Sequence, residues 1–242
     1  DHACVHAWKA ELTAAAKAAD FVRAESAVSC VASQAPGDFA KERRLLGGEG
    51  DALAASARAQ VEVSDAVTAL GRQGVPCFAL LNDFGQGIRR SYLGLNNLKI
   101  GRVAGQMIDI ASPTAGKVAV FVGGPRWHGH ELRETGFRSY FREHAPRYQV
   151  LETEVNLETD ALTREGTLDR LAAHPDLRGI YCAGGGREGA IAALRDQRSP
   201  GEVALVVHEV TPESREGLKD RFVTLVSSTP IAQLSADLLR MA

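Results

Sequence analysis

Residues Val118–Phe141 have the sequence VAVFVGGPRWHGHELRETGFRSYF, and a change of period within them decides the fold class. The first five residues are an apolar run, typical of a strand buried on both faces. The Gly-Gly-Pro run at residues 123–125 ends this strand and turns the chain. Apolar residues then recur at roughly helical spacing, at Leu132, Phe137 and Phe141. This segment therefore predicts a strand, a polar loop and a helix.

The same alternation of strands and helices extends over most of the chain. The predicted strands are Val28–Ala32, 51–56, Val75–Leu81, Ser91–Leu95, Val118–Val122, Tyr148–Val155, Gly179–Ala183, Val203–Val207 and Phe222–Val226. Helices are predicted over 1–20, 61–72, 97–110, 129–141, 160–173, 187–197, 212–219 and from Pro230 onward. Strands that alternate with helices predict βαβ units and parallel sheets, hence an α/β fold. Two such series joined near residue 95 predict two lobes with a ligand cleft between them.

Composition excludes several functional classes. The 242 residues carry a net charge of −2, so the chain lacks the excess of positive charge that favours binding to nucleic acid or to an anionic membrane. No apolar run approaches the roughly 20 residues of a membrane helix, and no secretory leader is visible. The four widely spaced cysteines predict buried free thiols and a cytoplasmic protein. Because the chain starts directly in a helix and ends without a closing strand, we expect it to be a fragment.

Polar groups follow the predicted strands, where open parallel sheets bind ligands. They are Ser56, Asp83, Asn97, residues 126–133, Gly184–Arg187, His208-Glu209 and Ser227-Ser228. In residues 126–133 an aromatic face lies beside donors and acceptors, a combination that suits a sugar. Four side chains are predicted to bind ligand because they follow the carboxyl ends of predicted strands: Trp127, His128, Glu131 and Arg187.

Four of these candidates also have a purely structural interpretation. Asp83 follows an asparagine and can stabilise a turn, and Asn97 can be the N-cap of its helix. Glu131 and Arg133 can be solvated members of a charged helix face. Trp127, in a polar loop, is less easily explained as a core residue.

Two further motifs resemble metal or phosphate sites. His128, His130 and Glu131 form an HxHE string, but no distant ligand pattern supports a metal site. The Gly184–Gly186 run precedes a helix and could hold a phosphate, although it lacks the P-loop lysine and the dinucleotide spacing. No nucleophile elbow or catalytic set occurs. The sequence therefore predicts a binding protein without cofactor, metal or enzymatic activity.

Four segments resemble the effector-binding core of the lactose-repressor family. SYLGLNNLKIGRVAGQMI is similar to its hinge strand and following helix, and GKVAVFVGG with HGHELRETGFRSYF to its next strand, ligand loop and helix. HPDLRGIYCAGGGREGAIAAL and VALVVHEVT resemble two later segments, the second ending at a ligand-contacting acid. The resemblance is strongest over residues 91–209 and depends on the order and spacing of the motifs.

The resemblance implies the periplasmic-binding-protein type I fold, with a small ligand between two Rossmann-like lobes. These lobes would be residues 1–95 plus 229–242, and residues 96–228. Family members are cytoplasmic repressors with an N-terminal DNA-binding head, which this chain does not show, or periplasmic sugar-binding proteins. Carried over residue by residue, ligand contacts fall at Asp83, Asn97, Arg133, Glu209, Ser228 and Gln233. This sequence departs from the family at three places: the family often has Asp where Asn96 stands, Asn-Asp where Gly184-Gly185 stand, and Arg where Glu131 stands. The class of sugar that family members bind is therefore not carried over to this chain.

The resulting hypothesis is the effector-binding core of a repressor that binds a sugar or sugar derivative. The alternative is a periplasmic receptor that delivers sugar to a transport system. A repressor would contact operator DNA through a head absent from this chain and would form a homodimer, with helix 61–72 and the first helix as the candidate face. Arg133 and Trp127 are predicted to face the cleft, and replacing Arg133 by alanine is expected to weaken ligand binding with little change in folding.

Overall fold

The protein is described by a computed structural model that covers residues 10–16, 51–57, 60–124 and 127–242. It divides into two units, the first formed by Asp1–Gly94 with Thr229–Ala242 and the second by Leu95–Ser228. The first boundary lies one residue before the predicted one, and the second coincides with it. Each unit has a parallel sheet flanked by helices, which confirms the predicted α/β class. The predicted strand Val28–Ala32 and most of the predicted first helix lie outside the described residues.

The elements follow one another in the alternating order that the sequence predicts. They are α1 (residues 10–16), β1 (Leu53–Ala55), α2 (Val61–Arg72), β2 (Cys77–Leu80), β3 (Ser91–Leu93), α3 (Asn97–Ala111), β4 (Gly116–Val122), α4 (His128–His144), β5 (Tyr148–Val150), β6 (Glu154–Val155), α5 (Asp160–Ala173), β7 (Leu177–Cys182), α6 (Arg187–Gln197), β8 (Ala204–His208), α7 (Pro212–Lys219), β9 (Leu225–Ser227) and α8 (Ile231–Met241).

In the first unit, the sheet has the order β1-β2-β3, with all neighbours parallel. Alternate residues of β2 point to opposite faces, as strand geometry requires. Phe78 and Leu80 pack in one cluster with Leu12 of α1 and Leu238 of α8. Cys77 and Ala79 pack on the other face, in a cluster that includes two valines of α2. The sheet is therefore covered on both faces by helices.

In the second unit, the sheet has the order β5-β4-β7-β8-β9, and β6 pairs with the carboxyl end of β4. Every pair is parallel. The VAVFV run of β4 divides between two cores: Ala119 and Phe121 face α5 and α6, whereas the three valines face α3 and α4. An apolar residue at every position of the VAVFV run is explained by this two-sided burial.

One predicted strand is interrupted. Tyr148–Val155 was predicted to be continuous, but the structure separates it into β5 and β6. The guanidinium of Arg138 on α4 donates to the carbonyl of Leu151 (2.9 Å) and to the hydroxyl of Thr153 (2.7 Å) between them. These hydrogen bonds hold the residues between β5 and β6 against α4, at the position where the sequence predicts a continuous strand.

The apolar stripe of α2 does not provide the predicted dimer face. Val63, Ala66, Val67 and Leu70 are buried, and the two valines pack in the core of their own unit. The stripe therefore stabilises the first unit and is not available to a second copy. Among the described residues, no helix is long and apolar enough to cross a membrane.

Candidate functional site

The second unit gathers most of the predicted site residues near the carboxyl ends of its parallel strands. Gly123 follows β4, Gly184–Gly186 follow β7, and Glu209 follows β8. Ser228 follows β9 at the same edge of the sheet. The predicted residues of this unit are Asn97, Trp127, His128, Glu131, Arg133, Arg187, Glu209 and Ser228. Asp83 and Gln233 belong to the first unit.

Arg133 is held by two fixed acceptors. Its Nε donates to Oδ1 of Asn97 (2.7 Å), and one terminal nitrogen donates to the carbonyl of Ala183 (2.6 Å). Asn97 belongs to α3, and Ala183 immediately follows β7, so the guanidinium connects a helix to a strand end. A guanidinium with two fixed partners is already oriented before any ligand arrives.

Glycines allow the two helices that carry this pair to pack closely. A Cβ on Gly101 of α3 would overlap the carbonyl oxygen of Arg133, and one on Gly136 of α4 would overlap the carbonyl oxygen of Leu98. A Cβ on Gly105 would lie 3.0 Å from the ring of Tyr140. Close packing of the two helices at these glycines brings Asn97 within reach of Arg133.

The N-cap interpretation of Asn97 is wrong by one residue. Asn96 is the N-cap of α3, and its Oδ1 accepts a hydrogen bond from the backbone N–H of Lys99 (3.0 Å). Asn97 lies inside the helix and is only 4% exposed. Its side chain is therefore available to hold Arg133.

Residues at the start of α4 divide between solvent and the strand ends. Trp127 is the N-cap and is partly exposed, with its ring centroid 6.2 Å from that of His130. Glu131 is more than half exposed and lies 3.4 Å from Nδ1 of His128. Glu131 and Arg133 thus have different surroundings, as expected for residues two apart on a helix.

His130 is a buried member of this group that was not predicted to bind ligand. The backbone N–H of Gly123 donates to its Nδ1 (3.1 Å), and its Nε2 lies 3.7 Å from Oε1 of Glu158. Burial, assisted by the charge of Arg133, lowers the pKa of His130 to about 4. The ring is therefore neutral at pH 7 with its proton on Nε2. The sequence contained a signal for this burial, because His130 lies seven residues before Phe137 on the same helical stripe.

A second buried imidazole ends β8. Nε2 of His208 lies 2.8 Å from the hydroxyl of Tyr181, and its Nδ1 has no hydrogen-bond partner among the described residues. Burial, followed by the charge of Arg133, holds the pKa of His208 well below its usual value. The Nε of Arg187 donates to the backbone carbonyl of His208 (2.7 Å). Arg187 therefore fixes the end of this strand.

Glu209 and Ser228 are paired at the last two strands. The hydroxyl of Ser228 donates to Oε2 of Glu209 (3.3 Å), and the backbone N–H of Glu209 donates to the carbonyl of Ser227 (2.7 Å). Glu209 has a φ of 62°, which is uncommon for a residue with a side chain. The strained backbone places this carboxylate directly after β8, at the edge where the other polar groups lie.

The two predicted residues of the first unit have internal partners. Asp83 forms a bidentate ion pair with Arg89. The Nε of Arg89 donates to Oδ1 of Asp83 (2.5 Å), and a terminal nitrogen of Arg89 donates to Oδ2 (2.8 Å). Gln233 is exposed on α8 and donates to Asp237 (3.0 Å). The pairing of Asp83 fits its structural interpretation as a residue that stabilises its loop.

This edge of the second unit can bind a polar ligand by hydrogen bonds. It offers guanidinium donors, carboxylate acceptors, a neutral imidazole and an indole ring. Within the described ranges, no three histidine, cysteine, aspartate or glutamate side chains are grouped so that they could hold a metal ion. The HxHE string does not form such a group, because His130 is directed to Gly123 whereas His128 lies beside Glu131.

Solved structures of sugar-binding proteins share this fold. A sugar-binding protein of a sugar ABC transporter from Bacillus halodurans is 19% identical and superposes with a TM-score of 0.86 over 97% of this chain and 80% of its own. A solute-binding protein from Burkholderia graminis, in complex with D-arabinose, is 20% identical with a TM-score of 0.83, covering 96% and 82% of the two chains. One from Agrobacterium vitis, bound to α-D-tagatopyranose, is 20% identical with a TM-score of 0.82, covering 95% and 80%.

No curated protein sequence matches this chain significantly. The family model described as a periplasmic binding protein domain matches residues 45–242, which is most of the chain. The matched region extends to residue 242 and includes every strand that the structure describes. The chain belongs to the periplasmic binding protein domain family.

Proposed function

We propose that this protein binds a sugar or sugar derivative at the carboxyl edge of the sheet in its second unit. The observation that carries the proposal is the guanidinium of Arg133, fixed by Asn97 and Ala183 at a strand end. Fixed donors bind hydroxyl groups at a low cost in side-chain entropy. Glu209 supplies an acceptor at the same edge, and Trp127 supplies a partly exposed ring that can cover an apolar sugar face.

Of the two predicted roles, the comparisons favour the transport receptor over the repressor. The matched proteins from Bacillus halodurans, Burkholderia graminis and Agrobacterium vitis are sugar- or solute-binding proteins of ABC transporters. We therefore propose that this protein delivers its ligand to a membrane transport system. We also propose a periplasmic location for it, in place of the cytoplasmic location expected from the cysteines.

A repressor core is the second candidate, favoured by the order of the four motifs over residues 91–209. The start of the full-length gene separates the two roles. About 50–60 upstream residues forming a helix-turn-helix would establish the repressor, whereas a cleavable apolar leader would establish the receptor. Sedimentation gives a second measurement, because a repressor must be a dimer to bind a two-fold operator.

The sugar proposal is tested by thermal unfolding in the presence of a panel of pentoses, hexoses, amino acids and nucleosides. A ligand that binds only the folded state stabilises it by about 2.7 kcal/mol at one hundred times its Kd. We expect a saturable rise in Tm with at least one sugar at millimolar concentration, too dilute for a general osmolyte effect. A rise with amino acids or nucleosides, and with no sugar, would overturn the proposal.

A further inference from the structure

The glycine run after β7 is covered by a carboxylate of its own chain. Oε1 of Glu158 accepts a hydrogen bond from the backbone N–H of Gly185 (3.3 Å). It would lie 3.0 Å from a Cβ placed on Gly184. These amides precede α6, where backbone N–H groups and the helix dipole attract negative charge. The position that a phosphate would take is thus already occupied by a carboxylate.

The backbone around Glu158 is strained and tightly held. Leu157 and Glu158 have φ values of 50° and 59°, in the left-handed region that residues with side chains rarely adopt. Asn156, which is only 2% exposed, fixes this turn. Its Oδ1 accepts from the backbone N–H of Glu158 (2.9 Å), and its Nδ2 donates to Thr163 (2.8 Å) and to the carbonyl of Gly185 (2.9 Å). The turn therefore directs the side chain of Glu158 toward the glycine run.

The three glycines are required by this turn. A Cβ on Gly185 would lie 2.9 Å from Cβ of Glu158, and a Cβ on Gly186 would overlap the hydroxyl of Thr163. Gly184 is packed against the ring of His130, whose Cε1 would lie 2.5 Å from an added Cβ. The absence of side chains at the run thus reflects close packing of the Glu158 turn and His130.

Among the described residues, Glu158 forms no ion pair with an arginine or a lysine. Arg133 donates to the backbone carbonyl of Ala183. Arg187 donates to the backbone carbonyl of His208 and lies 3.8 Å from the carboxylate of Glu188. The nearest imidazole, that of His130, is neutral at pH 7 because burial lowers its pKa to about 4. Within the described part of the chain, an anionic ligand at the glycine run would therefore meet a carboxylate that no arginine or lysine pairs with.

We propose that Glu158 is a specificity-determining residue that excludes phosphorylated and other anionic ligands from the glycine run, so that the ligand is an uncharged sugar. This inference rests on the proposed function for the sugar itself. Its physical basis is the occupied amide site: an anion must either displace Glu158 from Gly185 or bind beside it against charge repulsion.

The test compares wild type, Glu158→Ala and Glu165→Ala. Glu165 is an exposed residue of α5, so its replacement changes the net charge equally at a distance from the glycine run. Binding of inorganic phosphate, and of the sugars of the panel with and without a phosphate group, is measured by calorimetry at constant ionic strength. We expect Glu158→Ala to bind phosphate about tenfold more tightly than wild type, and Glu165→Ala to match wild type.

Two results would overturn the inference: equal phosphate affinity in Glu158→Ala and Glu165→Ala, or a wild type that binds a sugar phosphate as tightly as the parent sugar. Should Glu158→Ala fail to fold, Glu158→Gln removes the charge and keeps an oxygen that can accept from Gly185, and it must then show the gain. Failure of the proposed function is distinguishable, because wild type would bind no uncharged sugar whatever the phosphate results.

Discussion

At the scale of single residues, Arg133 has a structural role as well as a predicted binding role. Its guanidinium satisfies Oδ1 of the buried Asn97 and the carbonyl of Ala183, a residue with no exposed surface. Buried acceptors that lose a charged donor cost more than the hydrogen bond itself contributed. The expectation that Arg133 can be removed with little change in folding is therefore replaced by the following prediction.

Replacing Arg133 by alanine should lower the free energy of unfolding by about 2 kcal/mol and weaken sugar binding by about 1.5–3 kcal/mol. Urea unfolding and calorimetry measure the two effects. Arg142→Ala is the matched control, because Arg142 lies on the same helix with a side chain that is 74% exposed. Its replacement should change stability by no more than about 0.5 kcal/mol. Equal stability of the two variants would refute the structural role of Arg133.

The neutral state of His130 makes stability depend on pH. Its pKa is about 4 in the folded protein, below the value of 6.5 for an unperturbed histidine. Between these values the unfolded chain binds the proton and the folded protein does not, so stability is present above pH 6.5 and falls as the pH decreases toward 4. We expect His130 to contribute a loss of about 2 kcal/mol between pH 7 and pH 5.

This dependence is measured by urea unfolding of wild type and His130→Gln at both pH values. Glutamine cannot take up a proton, so the loss on acidification should be smaller in the variant by about 2 kcal/mol. His208, whose pKa is also lowered by burial, acts in the same direction and remains in both proteins. The same loss in wild type and variant would show that His130 is not held neutral.

At the scale of elements, the packing of α3 on α4 positions the Asn97–Arg133 pair. The two helices touch through backbone at Gly101 and Gly136, where an added Cβ would overlap a carbonyl oxygen of the other helix. Close approach of this kind fixes the relative position of two helices more strictly than contact between flexible side chains. The geometry of the site thus depends on glycines that would not contact the ligand.

Gly101→Ala should therefore destabilise the protein by about 2–3 kcal/mol and weaken sugar binding, because the carbonyl of Arg133 must move. Gly71→Ala is the matched control: Gly71 lies in α2, and an added Cβ would meet nothing within 4 Å. That control should gain about 0.5–1 kcal/mol from helix propensity. Chemical unfolding of both variants gives the comparison, and a stable Gly101→Ala with normal binding would contradict the positioning role.

The sequence predicted elements better than it predicted contacts. The period of residues 118–141 was enough to place β4 and α4, because a strand buried on both faces and an amphipathic helix have different apolar spacings. The break between β5 and β6 was not predictable, since it depends on Arg138, a residue of another element. The same holds for Glu158, whose role depends on a strained turn that meets a glycine run 26 residues further along the chain.

At the scale of the whole molecule, the chain passes from one α/β unit to the other at residues 94–95 and returns at 228–229. The polar groups that carry the proposed function lie in the second unit, at the ends of β4, β7, β8 and β9. Asp83 and Gln233, the two predicted ligand contacts of the first unit, are paired with Arg89 and Asp237. We therefore assign the main binding groups to one edge of one sheet.

Amide hydrogen exchange of the protein, with and without a saturating sugar from the panel, tests this assignment most directly. Exchange slows where a ligand binds the backbone or stabilises it against local opening. We expect slower exchange in Gly123–Gly124, Gly184–Gly186 and His208–Glu209, at the carboxyl ends of β4, β7 and β8. Slower exchange confined to other parts of the chain, with these three segments unchanged, would contradict it.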